Sequence, residues 1–463
     1  MGRYGAPDAT PRRMRLFNTK HRAPHAWRAL PASVALLLCL LSALLGLAGC
    51  SDEGSDNRPA RGDSAAVLRV PGDFPSIQKA VDFARSGDMV LVSSGVYRES
   101  VTISEPRIVL RGANRSKVVI DGEFRRANGV TVTGAASVVE NLTVRNHLAN
   151  GLLFTGVTDE ALQGGGAGGA DYDPLDTAKF PALRGFRASY VTAYNNALYG
   201  IYAFDARDGV IEHSYGSGHA DSGIYVGQCK PCNTVVRNNL SEHNAVGIEV
   251  TNASEDLYFL GNTVRRNRVG VTVLSNNLEA LGPQHDAVFV GNTIRANNDD
   301  QSPEQADGGF GIGIGISGGR SNRFERNRIE DNHAAAIVLR DEQGYPALGN
   351  RIQDNAVSKG QIGLVMLAAR TGGNCYLENG RTPTSPDPLP RVMRECSERD
   401  TAVETPGNLR NIGVAPPGVS FRDVPRPPAQ PGLPHAKRLP ARPAVGLPGE
   451  VDVAGYRLPD SRS

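Results

Sequence analysis

The feature that most constrains this chain is a repeat. Asn141-Leu142-Thr143-Val144-Arg145-Asn146 has the same frame as Asn239-Leu240-Ser241-Glu242-His243-Asn244, and the frame returns at 262–267, 292–297, 327–332 and 350–355. In each, two Asn stand five residues apart with apolar or β-branched residues between them. A few residues later comes a small residue with an apolar triplet, as in Gly151-Leu152-Leu153-Phe154, Gly247-Ile248-Glu249-Val250, Gly270-Val271-Thr272-Val273, Ala336-Ile337-Val338-Leu339 and Gly363-Leu364-Val365-Met366. Gly200-Ile201-Tyr202-Ala203 and Gly223-Ile224-Tyr225-Val226 keep only that second half. The small residues at 200, 223, 247 and 270 set a period of 23 or 24 residues.

A period of this size means a solenoid. The units lack the Leu ladder and helical half of a leucine-rich repeat. They hold strand-length alternating runs broken by Gly and Asn. That pattern predicts an all-β fold, a right-handed parallel β-helix of about 10–11 coils, roughly 50 Å long at ~4.8 Å per strand. The predicted Asn ladder comprises Asn141, Asn146, Asn239, Asn244, Asn262, Asn267, Asn292, Asn297, Asn327, Asn332, Asn350 and Asn355. Stacked amides can satisfy backbone groups that turn away from the sheets, and Asn tolerates the left-handed backbone of a turn.

Residues 67–380 form the predicted β-helix. Ile77, Ala80, Val81 and Ala84 share one helical face, which predicts a short N-terminal helix capping the first coil. Residues 1–49 read as a signal peptide, with Arg12, Arg13, Arg15, Lys20, Arg22 and Arg28 ahead of the apolar run Val34 to Ala48. Residues 50–66 are a polar tether. Residues 381–463 hold 16 of the 30 prolines and read as an extended wrap or a disordered segment. The formal net charge of +2 calls for no nucleic-acid partner.

Leu47-Ala48-Gly49-Cys50 resembles a bacterial lipobox. The resemblance implies lipid on Cys50, export, and anchoring to the outer face of the cytoplasmic membrane, at the cell surface. The opening of the domain, with Ile77-Gln78-Lys79-Ala80-Val81, Gly87-Asp88-Met89-Val90-Leu91-Val92, Gly95-Val96-Tyr97-Arg98-Glu99 and Ile120-Asp121-Gly122, resembles the pectate-lyase-like β-helix superfamily. The middle, with Asp221-Ser222-Gly223-Ile224-Tyr225-Val226-Gly227-Gln228, is similar to bacterial right-handed parallel β-helix repeat proteins. The resemblance covers roughly residues 67–370. It implies the fold and leaves the chemistry open.

Four cysteines remain in the exported chain: Cys229, Cys232, Cys375 and Cys396. The economical pairing is Cys229–Cys232 and Cys375–Cys396. A redox pair or a metal site at Cys229 and Cys232 stays open at this point.

Function in a solenoid concentrates where the repeat breaks. The insertion 158–184 carries Asp171, Asp173 and Asp176, an oxygen cluster suited to calcium, or alternatively a solvated loop. The coil 205–227 has His213 and Gly218 in place of the two Asn, with His219, Asp221 and Tyr225 nearby. His219, Asp221, Tyr225 and Arg207, with Lys230, can supply the base, proton donor and cation of a uronic-acid lyase or epimerase. They can equally be ladder substitutes and turn residues. The acidic insertion Asp299 to Asp307 is the third break and can line a groove. Three functions follow as expectations. The first is a monomeric rod binding a cell-surface or environmental polysaccharide. The second is a lyase or epimerase of uronic-acid polymers. The third is a maturation scaffold for an exported metalloenzyme.

Overall fold

The computed structural model describes residues 64–163, 174–305, 308–358, 362–409, 415–436, 442–443, 445 and 451–461. The signal peptide and lipobox expected at the N-terminus lie outside the described residues, as do Asp171 and Asp173. Ala60–Ser463 is one compact unit.

Alternating short strands and sharp turns wind the chain into three parallel sheets of 12, 10 and 11 strands. Each coil contributes one strand to each sheet in a fixed order. The coil with strands Ala206–Glu212, Tyr215–Ser217 and Ser222–Cys229 shows the plan, and its members are assigned to sheets I, II and III. Ten complete coils are present among the described residues, and Cys375–Leu377 and Thr384–Ser385 begin another. The side chains that alternate inward form one continuous core, including the stacked rings Phe259, Phe289 and Phe324, 4.4 and 4.8 Å apart.

The capping helix is Ile77–Phe83. Ile77, Ala80, Val81 and Ala84 are all buried, Ser76 caps the first turn, and Glu99 accepts the N–H groups of Ile77 and Gln78.

Asn ladders run through the corners, with one difference from the sequence frame. Between sheets I and II, Asn239, Asn262, Asn292, Asn327, Asn355 and Asn379 pass amide hydrogen bonds from coil to coil. Between sheets II and III, Asn244, Asn267, Asn297 and Asn332 do the same. A third ladder joins Gln284, Asn322, Asn350 and Asn374 between sheets III and I. Asn350 therefore brackets a sheet I strand, whereas the other pairs bracket sheet II. Asn141 and Asn146 are not rungs. They occupy the left-handed corner position one residue earlier, with φ of 56° and 60°. Spacing alone is blind to this one-residue offset, because both positions favour Asn for different reasons.

Cys229–Cys232 and Cys375–Cys396 are both disulfides. Cys229 and Cys232 lie in the core between two strands, away from any helix N-terminus, which leaves no accessible thiolate for redox or metal chemistry.

The proline-rich segment does not stop at the last coils. Leu409 packs on Val338 and Val365. Further on, the Phe421 and Val424 carbonyls accept from Asn195, the Pro431 carbonyl accepts from Arg115, and the Leu433 N–H donates to Asn141. Val445 reaches Met89, Val109 and Val138 near the first coils. Val451, Val453 and Tyr456 cover Val235, Leu260 and Val290 on the outer face of sheet I.

Candidate functional site

Sheet III carries an outward row in strict register. It runs Leu153, Tyr202, Tyr225, Glu249, Thr272, Gly315, Val338, Val365, one residue per coil. The residues between them point into the core, so the row faces out by the alternation of the strand. Over this row lies a cavity of about 230 Å³. Glu249, Thr272 and Gly315 belong to its floor, Gln305 and Gly309 of the acidic insertion to one wall, and Arg340 and Leu409 to the far end.

At its head stand two carboxyl groups. Asp221 Oδ1 is 3.2 Å from Ser222 Oγ, and the same hydroxyl bonds Glu249 Oε2. A serine hydroxyl donates only one proton. Both bonds can form together only if one carboxyl is protonated, which makes a relay from Glu249 through Ser222 to Asp221. Burial, and then the neighbouring Asp221, push Glu249 well above the usual carboxylate range. The pair thus keeps a proton where free carboxylates have lost theirs. The Gln305 side-chain amide holds Asp221 from the insertion side, its Nε2 donating to Oδ1 at 3.0 Å.

A second acid lies beside it. Glu279 sits on the loop after sheet III, and Asn252 anchors that loop by donating to the carbonyls of Asn276, Glu279 and Ala280. Burial raises Glu279 to about 7, against hydrogen bonds from Gln228 and Tyr225 that lower it. Tyr199, Tyr202 and Tyr225 pack ring on ring at 4.4–4.8 Å. Burial, followed by nearby carboxylates, keeps the phenols of Tyr199 and Tyr225 protonated as donors.

The structure brings only part of the sequence-derived set together. Asp221 and Tyr225 belong to the site. His219 does not: it has no exposure and is a rung of the ladder between sheets II and III. Its Nδ1 accepts from the Asn196 N–H at 3.3 Å, its Nε2 donates to the Ala193 carbonyl at 3.2 Å, and its own N–H donates to Asn244. His213 stands at the left-handed corner instead, stacked on Tyr190. Arg207 is on sheet I beside Asp208, and Lys230 lies near Glu255 on the turn closed by Cys229–Cys232. Of the calcium set only Asp176 is described, accepting from the N–H groups of Ala178 and Lys179. Among the described residues no group of three or more His, Cys, Asp or Glu is placed to hold a metal.

Gln305 brings the acidic insertion to the cavity as a wall, and Glu249 and Glu279 join the set from outside the broken coil. Glu249 was visible in Gly247-Ile248-Glu249-Val250, as a carboxylate at the outward position where neighbouring units carry Tyr or Thr. Glu279 had no local signal, since a loop from a later coil delivers it.

Residues 108–281 match the family described as right handed beta helix region. The match gives the three-sheet coil its right hand. No curated protein matches the chain. Among solved structures, the A-module of the mannuronan C-5 epimerase AlgE6 of Azotobacter vinelandii is 18% identical with a TM-score of 0.44, covering 66% of this chain and 90% of that one. Tailspike protein 2 of bacteriophage CBA120 is 12% identical with a TM-score of 0.45, covering 64% and 43%. An alginate lyase from Paenibacillus is 17% identical with a TM-score of 0.34, covering 65% and 97%. At these values the likeness concerns the path of the chain and not its chemistry.

Proposed function

We propose that this protein binds a polysaccharide in the sheet III cavity, at the outer face of a membrane to which lipid on Cys50 holds it. The observation that supports the binding reading is the outward row Glu249, Thr272, Gly315 beneath an open cavity, flanked by Gln305 and Arg340. The lining sets Glu249, Gln305, Ser317 and Arg340 among Val269, Leu274, Ile312 and Leu409, and polar groups spaced by apolar surface suit the hydroxyls and ring faces of a sugar. The Thr272 hydroxyl beneath this floor is buried and has no hydrogen-bond partner among the described residues.

A second reading is favoured by the carboxyl relay. Glu249, protonated, can give a proton to a leaving oxygen or a sugar carbanion, and Asp221 can accept one, as a lyase or epimerase of uronic-acid polymers requires. Calcium at the insertion around Asp176 belongs to this reading and is supplied in its assay. The maturation reading has lost the donors that sustained it, because Cys229 and Cys232 are bonded and His219 is a rung.

The test uses the compact unit Ala60–Ser463. Gels cast with alginate, polygalacturonate or dextran are run beside plain gels, and the same polymers are followed for the ultraviolet absorbance of unsaturated sugars, with and without calcium. Retardation by one polymer, weakened by Glu249→Gln, supports binding. Absorbance that rises and is lost in Glu249→Gln and Asp221→Asn supports the enzyme. Neither signal with any polymer removes both readings. For the anchor, the full chain should partition into detergent, and Cys50→Ala should move it to the aqueous phase.

A further inference from the structure

Among the described residues, the sheet III row lies open beneath the cavity at Thr272 and Gly315, with Glu249, 7% exposed, at its head. Tyr225, before Glu249, is 2% exposed, because Glu279, which its hydroxyl meets, and the Tyr199 ring close over it. Val338 and Val365, after Gly315, are 4% and 0% exposed, in a cluster that Ile312, Ile362 and Leu367 cover together with Leu409 of the returning tail. That segment is pinned in place, as the Gly407 N–H donates to the Met366 carbonyl at 2.6 Å. Between these covers remain Glu249, Thr272 and Gly315. The covered positions are four strand spacings apart, about 19 Å.

Gly315 shows that the space between is left for something. A Cβ built there would meet nothing nearer than the Val271 carbonyl at 3.9 Å, and its backbone is ordinary extended strand. Neither packing nor conformation demands glycine at this position. Glycine in a strand costs stability and marks a place where another group approaches the backbone closely. Its register neighbours on either side are Thr272 and Val338, so the missing side chain leaves a gap in the floor between them.

We propose that this site takes the end of a glycan chain, or a short oligosaccharide, and does not take an internal stretch of a long polymer. The inference rests on the glycan reading above and sharpens it. A terminal sugar lies over Gly315, its hydroxyls meeting Gln305 and Ser317. The carboxyl relay of Glu249 and Asp221 faces the head of the cavity, and Leu409 blocks onward passage of the chain. A polymer crossing the sheet would have to displace both covers.

Titration calorimetry of Ala60–Ser463 with size-fractionated alginate and polygalacturonate, from dimers to long chains, separates the cases. An end-binder takes one protein per glycan end, so stoichiometry per chain stays constant as chains lengthen and affinity levels off at short oligomers. Stoichiometry that rises with chain length overturns this inference and leaves polysaccharide binding intact. No binding of any fraction sinks the glycan reading and this inference with it. Gly315→Leu fills the floor and should weaken oligosaccharide binding about tenfold or more with the melting temperature unchanged. Unchanged affinity in that variant places the ligand elsewhere and refutes the proposal.

Discussion

Replacing Asn292 by Ala tests what the ladders contribute. The Asn292 side chain donates to the Phe259 carbonyl and to Asn327 Oδ1, both at 2.9 Å. Its oxygen accepts from the Asn262 backbone N–H at 2.9 Å and the Asn262 amide at 3.0 Å. Asn262 Nδ2 keeps its bond to the Val236 carbonyl, and Asn327 Oδ1 keeps the Asn292 N–H, so those two groups stay partnered. The Phe259 carbonyl stays within the sheet ladder, whereas the Asn262 N–H loses its acceptor in a fully buried corner. At about 1–3 kcal/mol for a buried group left unpaired, the variant should lose about 1–3 kcal/mol. Urea unfolding followed by circular dichroism gives the global figure. Hydrogen exchange of the segment around Asn262 shows whether the loss starts at the corner. Asn277→Ala, at an exposed loop position, is the control and should stay within about 0.5 kcal/mol. A loss below about 1 kcal/mol, with the Asn262 amide still protected, would refute the view that the ladders hold the corners together.

Two further predictions concern titration. Glu279 is raised from 4.5 to about 7 in the folded chain, so the folded state binds its proton more tightly than the unfolded state; its contribution is full below pH 4.5 and is lost as pH rises through 7, amounting to about 3 kcal/mol. Glu279→Gln should remove that loss, making the variant the more stable protein at pH 8 and erasing the slope between pH 5 and 7 that it alone accounts for, as read by paired urea titrations. His219 is held down to about 4 by burial, so its contribution is present above the unfolded value of 6.5 and lost as pH falls through 4. His219→Asn should restore the rung, keep glycan binding unchanged and flatten the acid limb, whereas a drop in binding with intact stability would return His219 to the site.

The fold was legible because a β-helix writes its coil length into the sequence. Each turn needs the same small residue and amide, and each strand needs the same alternation. The capping helix was legible for a similar reason, since Ile77, Ala80, Val81 and Ala84 declare one face. The ladder frame slipped where two adjacent corner positions both accept Asn. One supplies an amide to the next coil, as at Asn239, and the other supplies a left-handed backbone, as at Asn141. The site was half legible. Asp221 and Tyr225 sit in the broken coil, but Gln305 and Glu279 come to them from loops, and Leu409 closes the far end from the tail, across separations that no local pattern records. His219 misled because a histidine that turns inward as an amide substitute has the same letter as one that turns outward to act.

A solenoid in which each coil touches only its neighbours can fray from either end and mend again, coil by coil. The returning tail changes that. Arg115 is bonded to a residue 316 positions later, and Arg442 to one 306 positions earlier. Such contacts close only after the whole chain exists, and they fasten early coils to the last-made residues. A C-terminally clipped chain therefore keeps its winding but loses its lacing. The tail turns a row of separately meltable turns into an object whose two ends share one fate.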